Sequence, residues 1–339
     1  MVYLYFIIAA ALSFAVSVFF TVCIIKLFAE KIGPEKTEAL LFVPSTFVVS
    51  VAFPLINFLT TNIKDKLFVA SPVFIGLVLI VAVLIGFCGI NKKSDKYSPL
   101  VLAFACTVCS FLLPANFELY DLNMSPFMQR IVSAIIWFLF SSAYLALKKE
   151  DALMSVYTIF LGFFIFVLYL LSMVSMEQML FAGVLIGILG GLALFDTPPD
   201  KLNLTNSSAL SLGFLSGYVV LGCSAEGIWA SMQIMSVYPY ILLMFLLLGK
   251  INFVWEGRAE HTILLSQRVM IVSAALAFMQ IYIEVSSVLF ILTIIFVLWT
   301  MSKIGMDNKR KNIKEINKEF VQNIKENIQN VRNLWGKKQ

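Results

Sequence analysis

Long apolar runs alternate with short polar breaks from Tyr3 to Trp299, and no run carries an Asp, Glu, Lys or Arg in its interior. A bilayer core requires about 20 apolar residues per spanning helix, and one central charge costs roughly 2.5–3.5 kcal/mol even on the mildest insertion scale. The pattern predicts an all-α, polytopic helical membrane protein. Eleven transmembrane helices are read, with cores at 3–25, 40–59, 67–90, 99–113, 131–147, 153–174, 178–195, 208–223, 234–249, 269–283 and 285–301. Pro44, Pro54 and Pro72 fall inside runs, where a missing N–H kinks a helix.

The pattern changes after Met301. Ile313, Ile316, Phe320, Ile324, Ile328, Val331 and Trp335 recur at three- or four-residue steps among Lys and Asn. That spacing predicts a C-terminal amphipathic helix. The chain divides into a transmembrane domain, 1–302, and a basic tail, 303–339. The tail suits the anionic inner leaflet, where each Lys or Arg adds about 1 kcal/mol. A partner-binding helix is the alternative.

Charge placement sets an orientation. Breaks after odd-numbered runs hold 12 Lys or Arg and the tail adds ten; breaks after even-numbered runs hold only Lys64, Lys66 and Arg130. The positive-inside rule places the N-terminus outside and the tail in the cytoplasm. The break from Pro114 to Arg130, acidic at Glu118 and Asp121, fits the outer face. Two glycosylation sequons, at Asn203 and Asn206, fall on the inner side and are discarded. The first run lacks a basic flank and is too long for a signal-peptide core, so it is read as the first span.

Composition narrows the function classes. With 60% hydrophobic residues, a mean hydropathy of +0.92 and a net charge of +5, much of it in the tail, the 339-residue chain offers no nucleic-acid surface. The five cysteines lie within apolar runs; Cys106 and Cys109 have redox-like spacing but no second ligand pair nearby.

Chemistry must sit in the polar breaks, and four inner ones stand out. The first spans Gly89 to Leu100, with Asn91, Lys92, Lys93, Asp95 and Lys96. The second follows Trp137 and Ser141-Ser142-Ala143 and ends in Lys148-Lys149-Glu150-Asp151. The third runs from Pro198 to Phe214, and the fourth contains Glu256, Arg258, Glu260 and the lone His261. Taken singly, each also reads as interfacial sequence closing a helix.

Taken together, their order and spacing resemble the polyprenyl-phosphate N-acetylhexosamine-1-phosphate transferases. This family includes the bacterial enzyme that loads N-acetylglucosamine 1-phosphate onto undecaprenyl phosphate in cell-envelope polysaccharide synthesis. Its third-loop motif is Pro-Pro-x-Lys-Ile-Phe-x-Gly-Asp-x-Gly-Ser followed by Leu-x-Leu-Gly. Pro198, Pro199, Lys201, Leu210, Leu212 and Gly213 match it in register. Trp137, Ser142 and Ala143 fit the entry to the second motif, Gly89 and Ser98-Pro99 bracket the place of the Asp-Asp pair, and His261 falls at the His-rich loop. The resemblance covers most of residues 1–300.

The departures fall on the chemistry. Asn91 and Lys92 stand at the Asp-Asp pair. Lys149 and Ala152 stand at the second motif's aspartates, and a shift of one residue brings Asp151 to one of them. Thr205 and Asn206 replace the glycine and aspartate of the third loop, with Ser208 at its second glycine; Pro44-Ser45-Thr46-Phe47 stands at an early Pro-x-x-Gly-Gly segment. The family's reaction joins two anions, a lipid phosphate and a UDP-sugar, with Mg²⁺ neutralising the pyrophosphate. Mg²⁺ takes hard oxygen ligands, and Lys92 and Lys149 would repel it. Lys92, Lys149, Lys201 and His261 instead suit a metal-free phosphate contact.

Three readings follow. The leading one is a non-catalytic, transferase-like protein acting by binding a polyprenyl phosphate or a partner. The second is an active, Mg²⁺-dependent transferase with a rearranged site drawing on Asp95, Asp151, Asp196 or Asp200. The third is a lipid transporter or scaffold; the absence of ionisable groups in the runs argues against a proton-driven pump.

Overall fold

A computed structural model describes residues 2–32, 72–88, 95–113, 117, 119, 124–149, 153–196, 205–249, 259–283 and 287–303. The tail beyond 303, the run at 40–59 and the break at 197–204 lie outside them. The described elements are helices: α1 (Val2–Ile32), α2 (Pro72–Phe87), α3 (Ser98–Phe111), α4 (Pro126–Leu147), α5 (Leu153–Leu170), α6 (Met176–Asp196), α7 (Asn206–Cys223), α8 (Trp229–Leu247), α9 (Ala259–Tyr282) and α10 (Ser287–Lys303). A π-helical turn, Ser224–Ile228, joins α7 to α8.

Local sequence fixes the helix starts. Ser125 caps α4, its side chain accepting from the Met128 N–H, and Pro126 occupies a first-turn position where no N–H is needed. Thr205 caps α7, accepting from the Ser208 N–H at 3.2 Å. Pro239 lies buried inside α8.

α7 is the hub. Every residue from Ser207 to Cys223 is buried, as expected for a helix with no polar face. α2, α3, α4, α6 and α8 pack around it. Among apolar neighbours, close backbone approach replaces the hydrophobic effect as the association force, and small residues permit it. On α7, a Cβ at Gly213 would lie 2.5 Å from the Ser141 carbonyl oxygen, and one at Gly217 would lie 2.7 Å from Trp137 Cδ1. The second tight seam joins α6 to α1: Gly183, Gly187 and Gly191 face Phe6, Ser13 and Ser17, and Ser17 Oγ donates to the Ile188 carbonyl at 3.1 Å.

The outer surface is apolar. Leu100, Phe104, Phe127, Ile295 and Trp299 are all exposed, Phe104 at 72%. Large apolar side chains turned outward from a packed helical body are consistent with a lipid-facing surface.

Among the described residues, five helical stretches are long and apolar enough to cross a membrane: Leu4–Cys23, Pro126–Leu147, Leu153–Leu170, Met176–Leu194 and Asn206–Leu247. This count does not support eleven spans, for two physical reasons. α2 and α3, with 16 and 14 residues, rise only about 24 and 21 Å, short of the roughly 30 Å hydrocarbon core. The two runs expected at 208–223 and 234–249 form one helical stretch of 42 residues, kinked at Gly227.

Candidate functional site

Asp95 just before α3, Lys148 at the end of α4 and Thr205–Ser208 meet at the N-terminus of α7. Asp95 precedes α3 by one short turn, in which Ser98 Oγ donates to the Asp95 carbonyl at 2.7 Å. The Asp95 carboxylate crosses to the break before α7. Its Oδ1 accepts from the Ser207 N–H at 2.9 Å and from Ser207 Oγ at 2.5 Å. A carboxylate at this place satisfies an unpaired first-turn N–H and matches the positive end of the helix dipole. Thr205 and Ser208 complete the cap, their hydroxyls 2.8 Å apart.

The second contact comes from α4. Lys148 caps its C-terminus, its N–H donating to the Tyr144 carbonyl at 2.9 Å, and a cation there complements the negative end of the dipole. The half-buried Lys148 reaches over, and its Nζ donates to Asn206 Oδ1 at 3.1 Å. Asp95 and Lys148 thus bind neighbouring residues of α7, although they lie 112 and 58 positions away.

The α4–α7 seam below holds these groups in register. Trp137 is fully buried, stacks on Phe214 with centroids 4.6 Å apart, and donates from Nε1 to the Phe214 carbonyl at 2.8 Å. Tyr144 Oη and Thr158 Oγ1, 2.7 Å apart and buried, tie α4 to α5. Trp137 and Gly213, which carried part of the family resemblance, therefore lie in the same α4–α7 interface.

Of the residues singled out in the sequence, Asn206 is the first residue of α7, exposed, and bound to Lys148. Lys149 is exposed one residue beyond Lys148, its N–H on the Ala146 carbonyl. His261 lies in the first turn of α9, with its side chain outside the described atoms. Asp196 ends α6. Asn91, Lys92, Asp151, Asp200 and Lys201 lie outside the described residues. Sequence reasoning missed the pairing roles of Lys148 and Ser207, and treated Asp95 only as a substitute metal ligand. A carboxylate able to cap a helix more than a hundred positions away leaves no local signal.

The donor set tests the fit of the Mg²⁺ that the resemblance implies. Asp95 Oδ1 already accepts two hydrogen bonds, and the neutral Asn206 oxygen faces an ammonium that would repel a dication. Among the described residues no three His, Cys, Asp or Glu side chains gather closely enough to share an ion. The described site does not fit Mg²⁺. It presents instead a rim of Lys148, exposed Lys149 and exposed Asn206 beside a capped helix start. No family model and no curated protein matches the chain.

Proposed function

We propose that this is a non-catalytic membrane protein, built like a polyprenyl-phosphate sugar-1-phosphate transferase, that binds a polyprenyl phosphate of cell-envelope polysaccharide synthesis. One observation carries the reading: Asp95, Lys148 and Asn206–Ser207, which flank the breaks before α3, after α4 and before α7, converge at a single helix start, as a transferase-like site requires, yet Asp95 acts as a helix cap and Lys148 occupies the Asn206 oxygen. The lipid phosphate sits against the Lys149 ammonium and the Asn206 rim, with Lys92, Lys201 and His261 as further cationic contacts from neighbouring breaks. Its tail lies along the outward apolar surface. The chain is a multi-pass protein of a bacterial cytoplasmic membrane, with the N-terminus outside and the basic tail on the anionic inner leaflet.

Two measurements on the purified full-length protein test this. Undecaprenyl phosphate binding falls at least tenfold in the Lys92→Ala/Lys149→Ala double variant; unchanged binding refutes the site. Exchange of UMP with UDP-N-acetylglucosamine stays at background with Mg²⁺ present; clear turnover refutes the non-catalytic reading and favours the active transferase.

A further inference from the structure

α8 changes character at Pro239. The proline ring has no N–H, so the Met235 carbonyl four residues back loses its helical donor. Within an apolar bundle such a carbonyl has no water to turn to and must find another partner. A donor from a different helix replaces the missing one: Tyr157 Oη, on α5, donates to the Met235 carbonyl at 3.3 Å. Tyr157 and Met235 are both buried.

Pro239 divides α8 into two arms that are held unequally. The first arm is fastened to α9 twice: Ser231 Oγ donates to the Ala277 carbonyl at 2.9 Å, and Tyr238 Oη donates to Ser266 Oγ at 2.7 Å. The second arm ends loosely, with Met244 and Leu247 exposed, Leu247 at 77%. Tyr240 stands at its root. The Tyr240 ring meets Phe140 edge-on with centroids 6.3 Å apart, and Phe140 also packs on Tyr157 at 6.4 Å. Tyr240 Oη is shielded from solvent and has no hydrogen-bond partner. A buried hydroxyl left unpaired destabilises the arrangement that holds it. The second arm is thus loosely packed at its end, disfavoured at its root, and joined to the first arm without the usual backbone bond.

We propose that α8 is a hinged helix, with Pro239 as the pivot and the Tyr157 hydroxyl as the latch that holds the second arm in line. Kinks at proline commonly exceed about 20°. Over an arm of about 12 Å, a swing of about 20° carries Leu247 by about 4 Å. The arm leads in sequence to the break that holds Glu256 and Arg258, so the swing moves the point from which that break departs. The device is independent of phosphate binding at the start of α7.

Spin-label distances on the full-length protein in nanodiscs test the hinge. One pair of labels sits at the exposed Leu100 and Leu247, and a reference pair at the exposed Phe127 and Leu171. The half-buried Cys23 and Cys88 are replaced by Ser. Tyr157→Phe is expected to shift or broaden the Leu100–Leu247 distribution by about 4 Å and to leave the reference pair unmoved. Pro239→Ala returns an N–H to the Met235 carbonyl, so adding Tyr157→Phe to it is expected to move neither pair. The unfolding midpoint in mixed micelles follows the same logic: Tyr157→Phe lowers it in the native background and leaves it unchanged on top of Pro239→Ala. An unmoved Leu247 label in Tyr157→Phe overturns the hinge, whether or not Pro239→Ala folds. Displacement of both pairs alike is general loosening and overturns it too. Equal effects of Tyr157→Phe with and without Pro239→Ala overturn the role of Tyr157 as latch.

Discussion

Gly213→Ala is the sharpest perturbation of the seam that holds the candidate site. The added Cβ would lie 2.5 Å from the Ser141 carbonyl oxygen, 2.9 Å from Ser141 Cα and 3.0 Å from Tyr144 Cδ2. Two of these are backbone atoms, so no rotamer change relieves the clash. Ordinary contact begins near 3.4 Å, so α4 and α7 must part by up to about 0.9 Å. Overpacking of this kind costs about 1–3 kcal/mol. Alanine's better helix propensity returns up to about 1 kcal/mol. Separation also loosens the Trp137 stack on Phe214 and its 2.8 Å hydrogen bond, each adding about 1 kcal/mol. The net expectation is a loss of about 3 kcal/mol.

Gly76→Ala on α2 is the control, because a Cβ there meets nothing within 4 Å. It changes propensity alone and should leave stability equal or slightly raised. Reversible unfolding of both variants in mixed micelles measures the difference, and undecaprenyl phosphate affinity should fall only for Gly213→Ala. Equal stability of the two variants would refute the close-approach account of α4 and α7.

Further outcomes follow from individual contacts. Asp95→Ala removes both acceptor contacts to Ser207 and should cost about 2 kcal/mol in the same unfolding assay, whereas the exposed Lys149→Ala should stay within about 0.5 kcal/mol. Gly227→Ala forces a Cβ onto a φ of +93 in otherwise open space, so it should destabilise by about 1–2 kcal/mol through strain alone. Tyr218→Phe deletes the hydroxyl that donates to the buried Glu177 Oε1 at 3.1 Å and should cost about 1.5–3 kcal/mol.

The helices were legible because a charge-free run can only be buried or face lipid. Their ends were less so. α1 continues to Ile32, past the run that stops at 25, and α9 begins at Ala259, ten residues before the run at 269. Lys26, Glu30, His261 and Arg268 are polar yet helical, because polarity marks where a helix can leave an apolar environment and not where its hydrogen bonds stop. The seam was partly legible: Trp137 and Gly213 carry it and were singled out through family resemblance. The second seam had a local signal, a glycine every fourth residue at 183, 187 and 191, which a search for polar chemistry passes over. Lys148 and Lys149 were indistinguishable by charge counting. Adjacent residues on a helix end point about 100° apart, so only the packing of α4 on α7 decides which ammonium reaches Asn206.

That choice determines what it would take to build a metal site here. Asn206 stands at the third-loop aspartate of the resembled family, so Asn206→Asp looks like a repair. The local geometry argues otherwise. The new carboxylate would inherit the Lys148 ammonium at 3.1 Å and form an ion pair there. An exposed pair of this kind adds about 0–1 kcal/mol, and the paired carboxylate then presents little net charge to a dication. Asp95 cannot assist while its Oδ1 holds the Ser207 N–H and hydroxyl. The single variant should therefore unfold at an equal or slightly higher denaturant concentration and gain no Mg²⁺-dependent stabilisation. Asn206→Asp combined with Lys148→Ala frees the carboxylate and should show weak Mg²⁺ stabilisation where the single variant shows none. Mg²⁺ stabilisation of Asn206→Asp alone would mean that Lys148 does not hold this oxygen in solution, and the assignment of the rim to phosphate would fall with it.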